Sequence, residues 1–139
     1  MTANRVSRVL SRWGHEVGKL RRTVAVVDDD ASLRRSVGRL LNAYGFAAVE
    51  YASAEAFLNR NPGPAVECLV LDIDLKGMSG IQLQRKLKEE GSKLPVIFIT
   101  ALEDPRLKIM AERAGCIAYL QKPYAGSALI AAINKALGL

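Results

Sequence analysis

The stretch Cys68-Leu-Val-Leu-Asp-Ile-Asp-Leu-Lys-Gly-Met-Ser-Gly80 decides how this sequence is interpreted. A short apolar run ends in a carboxylate, Asp72, and then passes through a polar turn into a helical pattern. Three further apolar runs also end in polar or charged residues: Val24-Ala-Val-Val-Asp-Asp-Asp30, Pro95-Val-Ile-Phe-Ile-Thr100 and Ile117-Ala-Tyr-Leu-Gln-Lys-Pro123. The pattern predicts four buried strands, each ending in a residue that can contact a phosphoryl group or a divalent cation.

From Thr23 onward, strand and helix patterns alternate. We predict strands at 23–27, 46–51, 68–71, 96–99 and 117–120. We predict helices at 32–44, 79–90, 105–114 and 127–137, and a further helix that begins after Ser53, which can cap it. Because the strands are unbroken apolar runs, they indicate an α/β fold with a five-stranded parallel sheet covered by helices on both faces. Such sheets bind ligands at the carboxyl ends of their strands, where the polar residues of this sequence lie.

Length and composition fit one globular domain, because 139 residues that are half apolar can bury a real core. No apolar stretch approaches the roughly 20 residues that span a bilayer, and arginines interrupt the first residues too often for a secretory signal. We therefore predict a cytoplasmic protein without a membrane partner. The two cysteines, Cys68 and Cys116, are predicted to be reduced thiols.

Residues 1–22 are predicted to be a basic leader or extra helix, separate from a domain at 23–139. Six basic residues against Glu16 give this segment +5 of the total charge of +6, so the remaining residues carry +1 and offer no charge argument for nucleic acid. Apolar residues in the segment recur at helical spacing. A disordered leader, a helix docked on the domain or on a second copy, and a membrane or nucleic-acid anchor all remain open.

The strand-end residues suggest a common chemistry. If Asp28, Asp29 and Asp72 cluster, their repulsion requires positive charge, and Mg²⁺ (or Mn²⁺) suits oxygen ligands. Lys122 offers an ammonium group and Thr100 a hydroxyl donor. Taken singly, each residue has an ordinary explanation, such as a solvated turn, a surface lysine or, for Thr100, a helix cap. Together they supply the parts of phosphoryl transfer to a carboxylate.

With these residues, the chain resembles the receiver (response-regulator) domain family over about residues 23–138. The matching positions are the acidic pair Asp28 and Asp29, the phosphoacceptor Asp72, the glycine Gly80, the hydroxyl and small residues Thr100 and Ala101, the aromatic switch Tyr119, and Lys122 with Pro123. The resemblance implies a flavodoxin-like strand order of 2-1-3-4-5, a cis peptide before Pro123, and a metal site completed by the backbone carbonyl of Asp74.

The resemblance also implies a function. A sensor histidine kinase or phosphotransfer protein would phosphorylate Asp72, and the face formed by the fourth helix, fifth strand and fifth helix would switch. We expect a signalling domain rather than an enzyme. Such a domain catalyses only its own phosphotransfer and dephosphorylation. Because no output domain follows Leu139, it would act on a downstream partner or belong to a longer regulator, and a homodimer is open.

Two positions near Asp72 distinguish this chain within the family. Lys76 stands where receivers commonly carry proline, so the loop after Asp72 is predicted to be more mobile and gains a charge. Asp74 places a further carboxylate where side chains of this family tune the lifetime of the phosphorylated state.

Other functions fit these residues less well. Asp72-Ile-Asp74 fits the Asp-x-Asp motif of haloacid-dehalogenase-like phosphatases, but in that family the acidic pair comes later, and only 67 residues follow Asp72. A docking domain independent of phosphorylation would usually lack the acids, the lysine or the threonine. Direct nucleic-acid binding would have to come from residues 1–22, and no Gly-x-Gly-x-x-Gly follows a strand to indicate a dinucleotide cofactor.

Overall fold

The structure, a computed structural model, describes residues 21–63 and 65–139. Its elements are β1 (Thr23–Val27), α1 (Ala31–Ala43), β2 (Ala47–Tyr51), α2 (Ala54–Leu58), β3 (Cys68–Asp72), α3 (Gly80–Glu89), β4 (Val96–Thr100), α4 (Pro105–Ala114), β5 (Ala118–Gln121) and α5 (Gly126–Leu137). The predicted alternation is confirmed, and the ends differ from the predicted ones by no more than one residue, except that only the start of α2 was predicted, at the Ser53 cap.

Of the predicted leader, only two residues are described, and both contact the domain. The Arg21 side chain donates to the carbonyl of Phe46, and Arg22 pairs with Glu67. The three interpretations of the leader at 1–22 stay predictions, because residues 1–20 lie outside the described residues. The boundary between leader and domain stays a prediction. Within residues 21–63 and 65–139, no helix combines the length and apolar character needed to cross a membrane.

The sheet has the predicted topology. All neighbouring strands are parallel, in the order β2-β1-β3-β4-β5. In the register, Asp72 lies beside Ile99 and Thr100 lies beside Gln121, so the carboxyl ends of β3, β4 and β5 form one edge. The order of the strands reverses between β1 and β3, which is where a crevice forms in sheets of this kind.

The core lies on both faces of the sheet. Strands β1, β3 and β4 are buried along their whole length, whereas β2 and β5 form the partly exposed edges. Alternate side chains enter opposite faces, so Phe98 packs with α2, α3 and α4 while Ile97 packs with α1 and α5. Burial of each such side chain stabilises the fold by about 1.5–3 kcal/mol. The packed core on both faces of the sheet therefore fixes the positions of the strand ends.

The two cysteines are unpaired, as predicted. Cys68 is fully buried in β3, and Cys116 is half-buried before β5. Burial raises the pKa of the Cys68 thiol to about 12 and raises that of Cys116 as well. Both thiols are therefore protonated at neutral pH, and Cys68 acts as a small apolar core residue.

Helix caps define where the strand-end loops stop. Asp30 accepts backbone N–H groups of Ser32 and Leu33 and so begins α1, and Ser53 caps α2 as predicted. Helix α3 begins with a capping box between Ser79 and Gln82. Helix α4 is capped by Asp104, so Thr100 is a strand residue and not a helix cap. The loops before α1, α2, α3 and α4 thus end at a side-chain cap, whereas α5 begins after Ala125 without one.

Candidate functional site

Three carboxylates meet at the carboxyl edge of the sheet. Asp28 and Asp29 directly follow β1, and Asp72 is the last residue of β3. One side-chain oxygen from each lies within 4.8 Å of the other two. Asp28 and Asp72 are 1% and 5% exposed, whereas Asp29 is exposed. The cluster is consequently buried on one side and open to solvent on the other.

An ammonium group lies on the buried side of this acidic cluster. The Nζ atom of Lys122, just after β5, is 3.1 Å from Oδ2 of Asp28 and 3.1 Å from Oδ2 of Asp72. Its backbone N–H donates to the carbonyl of Thr100, and the peptide bond to Pro123 is cis, as the resemblance implies. One lysine therefore bridges the two buried carboxylates of separate strands.

Backbone N–H groups orient the other oxygens of the cluster. Oδ1 of Asp28 accepts the N–H of Asp30 at 2.9 Å, and Oδ1 of Asp72 accepts the N–H of Asp74 at 3.0 Å. The side chain of Asp74 itself is exposed. These hydrogen bonds fix the orientation of both carboxylate groups, so the Asp72 oxygens face the crevice in one orientation.

The charges of the site perturb its titration. Burial raises the pKa of Asp72 to about 6, and the nearby charge of Asp28 adds to this, against the opposing effects of the Asp74 N–H and of Lys122. Burial alone would lower the pKa of Lys122, but the charges and hydrogen bonds of Asp72 and Asp28 outweigh it, and that pKa is raised. Lys122 therefore stays protonated, and Asp72 is ionised at a cost.

The residues of the acidic cluster fit an oxygen-liganded divalent cation. Three carboxylates and one ammonium leave a charge of −2 among these four side chains when all are ionised. The donor atoms are all hard oxygens, which Mg²⁺ prefers, and the exposed side at Asp29 leaves room for the waters that Mg²⁺ retains. A divalent ion would neutralise the charge that Lys122 leaves uncompensated.

Thr100 and Tyr119 lie on one face of the sheet. Thr100 is fully buried at the end of β4, where its hydroxyl oxygen accepts the N–H of Leu102 at 3.0 Å and keeps its own hydrogen for donation. Tyr119 pairs in register with Phe98, two residues before Thr100, and is half-buried. A cavity of about 180 Å³ lies between Tyr119 and the loop that begins at Leu102. Tyr119 therefore lines a cavity next to the loop that follows Thr100.

Ala101 and Gly80 are two small residues that lie beside the site. Ala101 lines a cavity of about 640 Å³ together with Asp28 and Lys122. A Cβ atom at Gly80 would lie 2.3 Å from the carbonyl oxygen of Asp72 and 2.9 Å from Cα of Ile73. Only glycine permits α3 to approach the end of β3 this closely.

Two residues that support the site, Arg34 and Glu55, are not marked as site residues by the sequence. Arg34 of α1 donates to the backbone carbonyl of Asp28 at 2.8 Å and pairs with Glu50 of β2 at 3.3 Å. Glu55 of α2 accepts the N–H of Met78, in the loop after Asp72, at 2.9 Å. A Cβ at Gly38 inside α1 would lie 2.8 Å from the Glu50 carboxylate, so this glycine leaves room for Glu50 beside Arg34.

Comparison with known proteins identifies the class of this fold and site. The family model of the response regulator receiver domain matches residues 24–134, and the chain belongs to this family. The family identification from the sequence and the predicted fold class are thereby confirmed.

Individual relatives agree with this assignment. The transcriptional regulatory protein TdiR of Thauera aromatica is 42% identical over 117 residues, which cover 84% of this chain and 52% of TdiR. The crystal structure of FixJ-N has a TM-score of 0.77 and 35% identity, covering 84% of this chain and 94% of that one. A receiver protein from Burkholderia phymatum has a TM-score of 0.76 and 40% identity, covering 86% and 97%. The chain spans about half the length of the curated relatives it matches.

Proposed function

We propose that this receiver domain accepts a phosphoryl group on Asp72 from a phosphohistidine of a sensor kinase or phosphotransfer protein, in a reaction that requires Mg²⁺. The observation that carries the proposal is the position of Lys122, whose Nζ is 3.1 Å from the carboxylates of both Asp28 and Asp72. A nucleophile, a cation-binding cluster and an ammonium group thus converge on one crevice.

Asp72 is the nucleophile in this reaction. One of its carboxylate oxygens attacks phosphorus, a P–O bond forms, and the P–N bond breaks with its electron pair leaving on the imidazole nitrogen. The product is an acyl phosphate. No base has to remove a proton, because a carboxyl group with a pKa of about 6 is roughly nine-tenths ionised at pH 7.

Asp28, Asp29 and Asp72 would hold the magnesium ion, with the backbone carbonyl of Asp74. The ion supplies charge neutralisation for the phosphoryl oxygens. Lys122 provides a second positive charge from the buried side of the acidic cluster. These residues give the crevice an affinity for a phosphoryl group that no single side chain would provide.

The phosphoryl group would bias the fold between two packings. Thr100 donates its free hydroxyl hydrogen to a phosphoryl oxygen, and Lys122 exchanges its bond to the Asp72 carboxylate for one to phosphate. Tyr119 then moves into space beside Thr100, which changes the face formed by α4, β5 and α5. Such a switch is a population shift driven by a local change of charge.

Output and location are part of the same proposal. TdiR carries the name of a transcriptional regulatory protein, and this chain spans only about half of its length. We infer that the switched face acts on an output domain of a longer regulator, or on a separate partner, in the cytoplasm, and that homodimerisation through this domain is one form of that action.

Intact-mass spectrometry tests the chemistry directly. After incubation with acetyl phosphate and Mg²⁺, we expect the protein to gain one phosphate, and we expect EDTA or Asp72→Asn to prevent the gain. The matched control, Asp30→Asn, changes a neighbouring acid that caps α1 and should leave the label intact.

Two results would contradict the proposal. A phosphate that persists in Asp72→Asn would place the acceptor elsewhere, and a wild-type protein that stays unlabelled by acetyl phosphate, by phosphoramidate and by phosphorylated kinases would not be a phosphoacceptor. Repeated turnover of para-nitrophenyl phosphate would instead indicate a phosphatase.

A further inference from the structure

The loop at 73–79, between β3 and α3, is held from outside by two carboxylates. The N–H of Lys76 donates to Oδ2 of Asp29 at 3.4 Å, and the N–H of Met78 donates to Oε2 of Glu55 at 2.9 Å. The start of the loop is fixed to the sheet, because the N–H of Ile73 donates to the carbonyl of Ile99. The crest of the loop is therefore bonded to side chains from two other parts of the chain, the turn after β1 and helix α2.

Glu55 approaches the loop through a gap left by a glycine. A Cβ at Gly77 would lie only 2.7 Å from Oε2 of Glu55, and Gly77 has a φ of +76°, which other residues rarely adopt. The hydrogen bond from Met78 lowers the pKa of Glu55, so the acceptor is a carboxylate ion at neutral pH. A charged acceptor makes the stronger kind of hydrogen bond to a backbone N–H.

Lys76 explains why this loop needs such support. Receivers commonly carry proline there, and a proline ring fixes φ within the chain itself. With Lys76 the backbone is freer, and its added N–H is directed to Asp29. External carboxylates thus provide a restraint that the ring would otherwise provide.

We infer that Glu55 is a positioning residue for phosphotransfer: by accepting the N–H of Met78, it holds the 73–79 loop so that Asp74 stays beside Asp72 and the acidic cluster. The inference rests on the proposed function of Asp72. Glu55 bonds the N–H of Met78, six residues beyond Asp72, and so acts on the phosphoacceptor through the loop.

A merely structural role for Glu55 must be separated from this one. Glu55 also lies in the first turn of α2, where a negative charge favours the helix itself. Glu55→Ala removes both the acceptor and the charge, whereas Glu55→Gln keeps an acceptor oxygen and loses only the charge. The pair of variants distinguishes loop support from helix support.

The first experiment needs no phosphorylation. Amide hydrogen exchange of Met78, measured in the wild type and both variants, should be about three- to tenfold faster in Glu55→Ala, the range expected for loss of one exposed hydrogen bond, and nearer the wild-type rate in Glu55→Gln. Urea unfolding serves as the control for global stability. Unchanged exchange at Met78 in Glu55→Ala would overturn the inference.

The second experiment is a rescue. The rate of Asp72 phosphorylation by acetyl phosphate at saturating Mg²⁺ should fall by a similar factor in Glu55→Ala. Adding Lys76→Pro replaces the N–H bond from Lys76 to Asp29 with the ring restraint and should recover part of the lost rate, whereas Lys76→Ala, which keeps that N–H, should not. A wild-type phosphorylation rate in Glu55→Ala would overturn the inference.

Failure of this inference can be told apart from failure of the proposed function. If the wild type takes no phosphate on Asp72, the proposed function fails, while exchange at Met78 still decides whether Glu55 holds the loop. If the wild type is labelled and Glu55→Ala matches it in both exchange and rate, only the role of Glu55 is refuted.

Discussion

Replacing Asp72 by asparagine should stabilise the metal-free protein at neutral pH. Asp72 is 5% exposed and shares one ammonium group with Asp28. Burial and the charge of Asp28 therefore destabilise its ionised form. Asparagine has nearly the same shape and no charge. The variant therefore removes repulsion within the acidic cluster and leaves the Lys122–Asp28 pair in place.

The pKa of Asp72 sets the size of the effect. A carboxyl group with an ordinary value of 3.8 that rises to about 6 on folding binds its proton more tightly when folded. The associated stability is fully present below about pH 3.8 and is lost as pH rises through about 6. The difference corresponds to at most about 3 kcal/mol, at about 1.36 kcal/mol per pH unit. Solvent screening at the open side of the crevice reduces the expected gain at pH 7 to about 1–2 kcal/mol.

Urea unfolding followed by circular dichroism in EDTA, from pH 4 to pH 7.5, measures this gain. We expect Asp72→Asn to exceed the wild type in free energy of unfolding at pH 7 and the difference to shrink towards pH 4. The control variant is Glu89→Gln, which neutralises an exposed acid on α3. A variant no more stable than the wild type at pH 7, or a difference independent of pH, would refute the reasoning.

Two further variants test the geometry of the site. Gly80→Ala should lower the free energy of unfolding by about 3 kcal/mol or more, because its Cβ would overlap the Asp72 carbonyl and the Ile73 backbone. The control is Gly63→Ala, whose Cβ would meet nothing nearer than 3.9 Å and should change that free energy little. Equal unfolding curves for these two variants would contradict the close approach of α3 to β3. Asp74→Asn should change the lifetime of phosphorylated Asp72 by about twofold or more, because an exposed charge beside the phosphoryl group is removed; an unchanged dephosphorylation rate would count against a tuning role.

The elements of the fold could be predicted because each rests on local signals. The unbroken apolar runs of β1, β3 and β4 predicted a buried parallel sheet, and Ser53 and Gly115 marked where α2 begins and α4 stops. Ser53 accepts a backbone N–H, and Gly115 has a positive φ. Signals of this kind depend on residues that are close in the sequence, so they survive without knowledge of the fold.

The supporting contacts of the site could not be predicted in the same way. Arg34 is six residues from Asp28 and would be assigned to the exposed face of α1, yet it bonds the Asp28 carbonyl. Glu55 is 23 residues from Met78 and belongs to a different element. Neither residue lies at a spacing that identifies it, because the group it bonds near the site is a backbone atom, and a backbone atom cannot be recognised from residue types.

Periodicity along the chain predicted five strands and five helices, and the residues at the strand ends predicted membership of the receiver family and which side chains would face a phosphoryl group. Folding places Lys122 between Asp28 and Asp72, lets α3 meet β3 at Gly80, and brings Glu55 to the N–H of Met78. Hydrophobic periodicity is written along the chain, whereas a distance of about 3 Å between groups far apart in sequence exists only after the sheet has set their register.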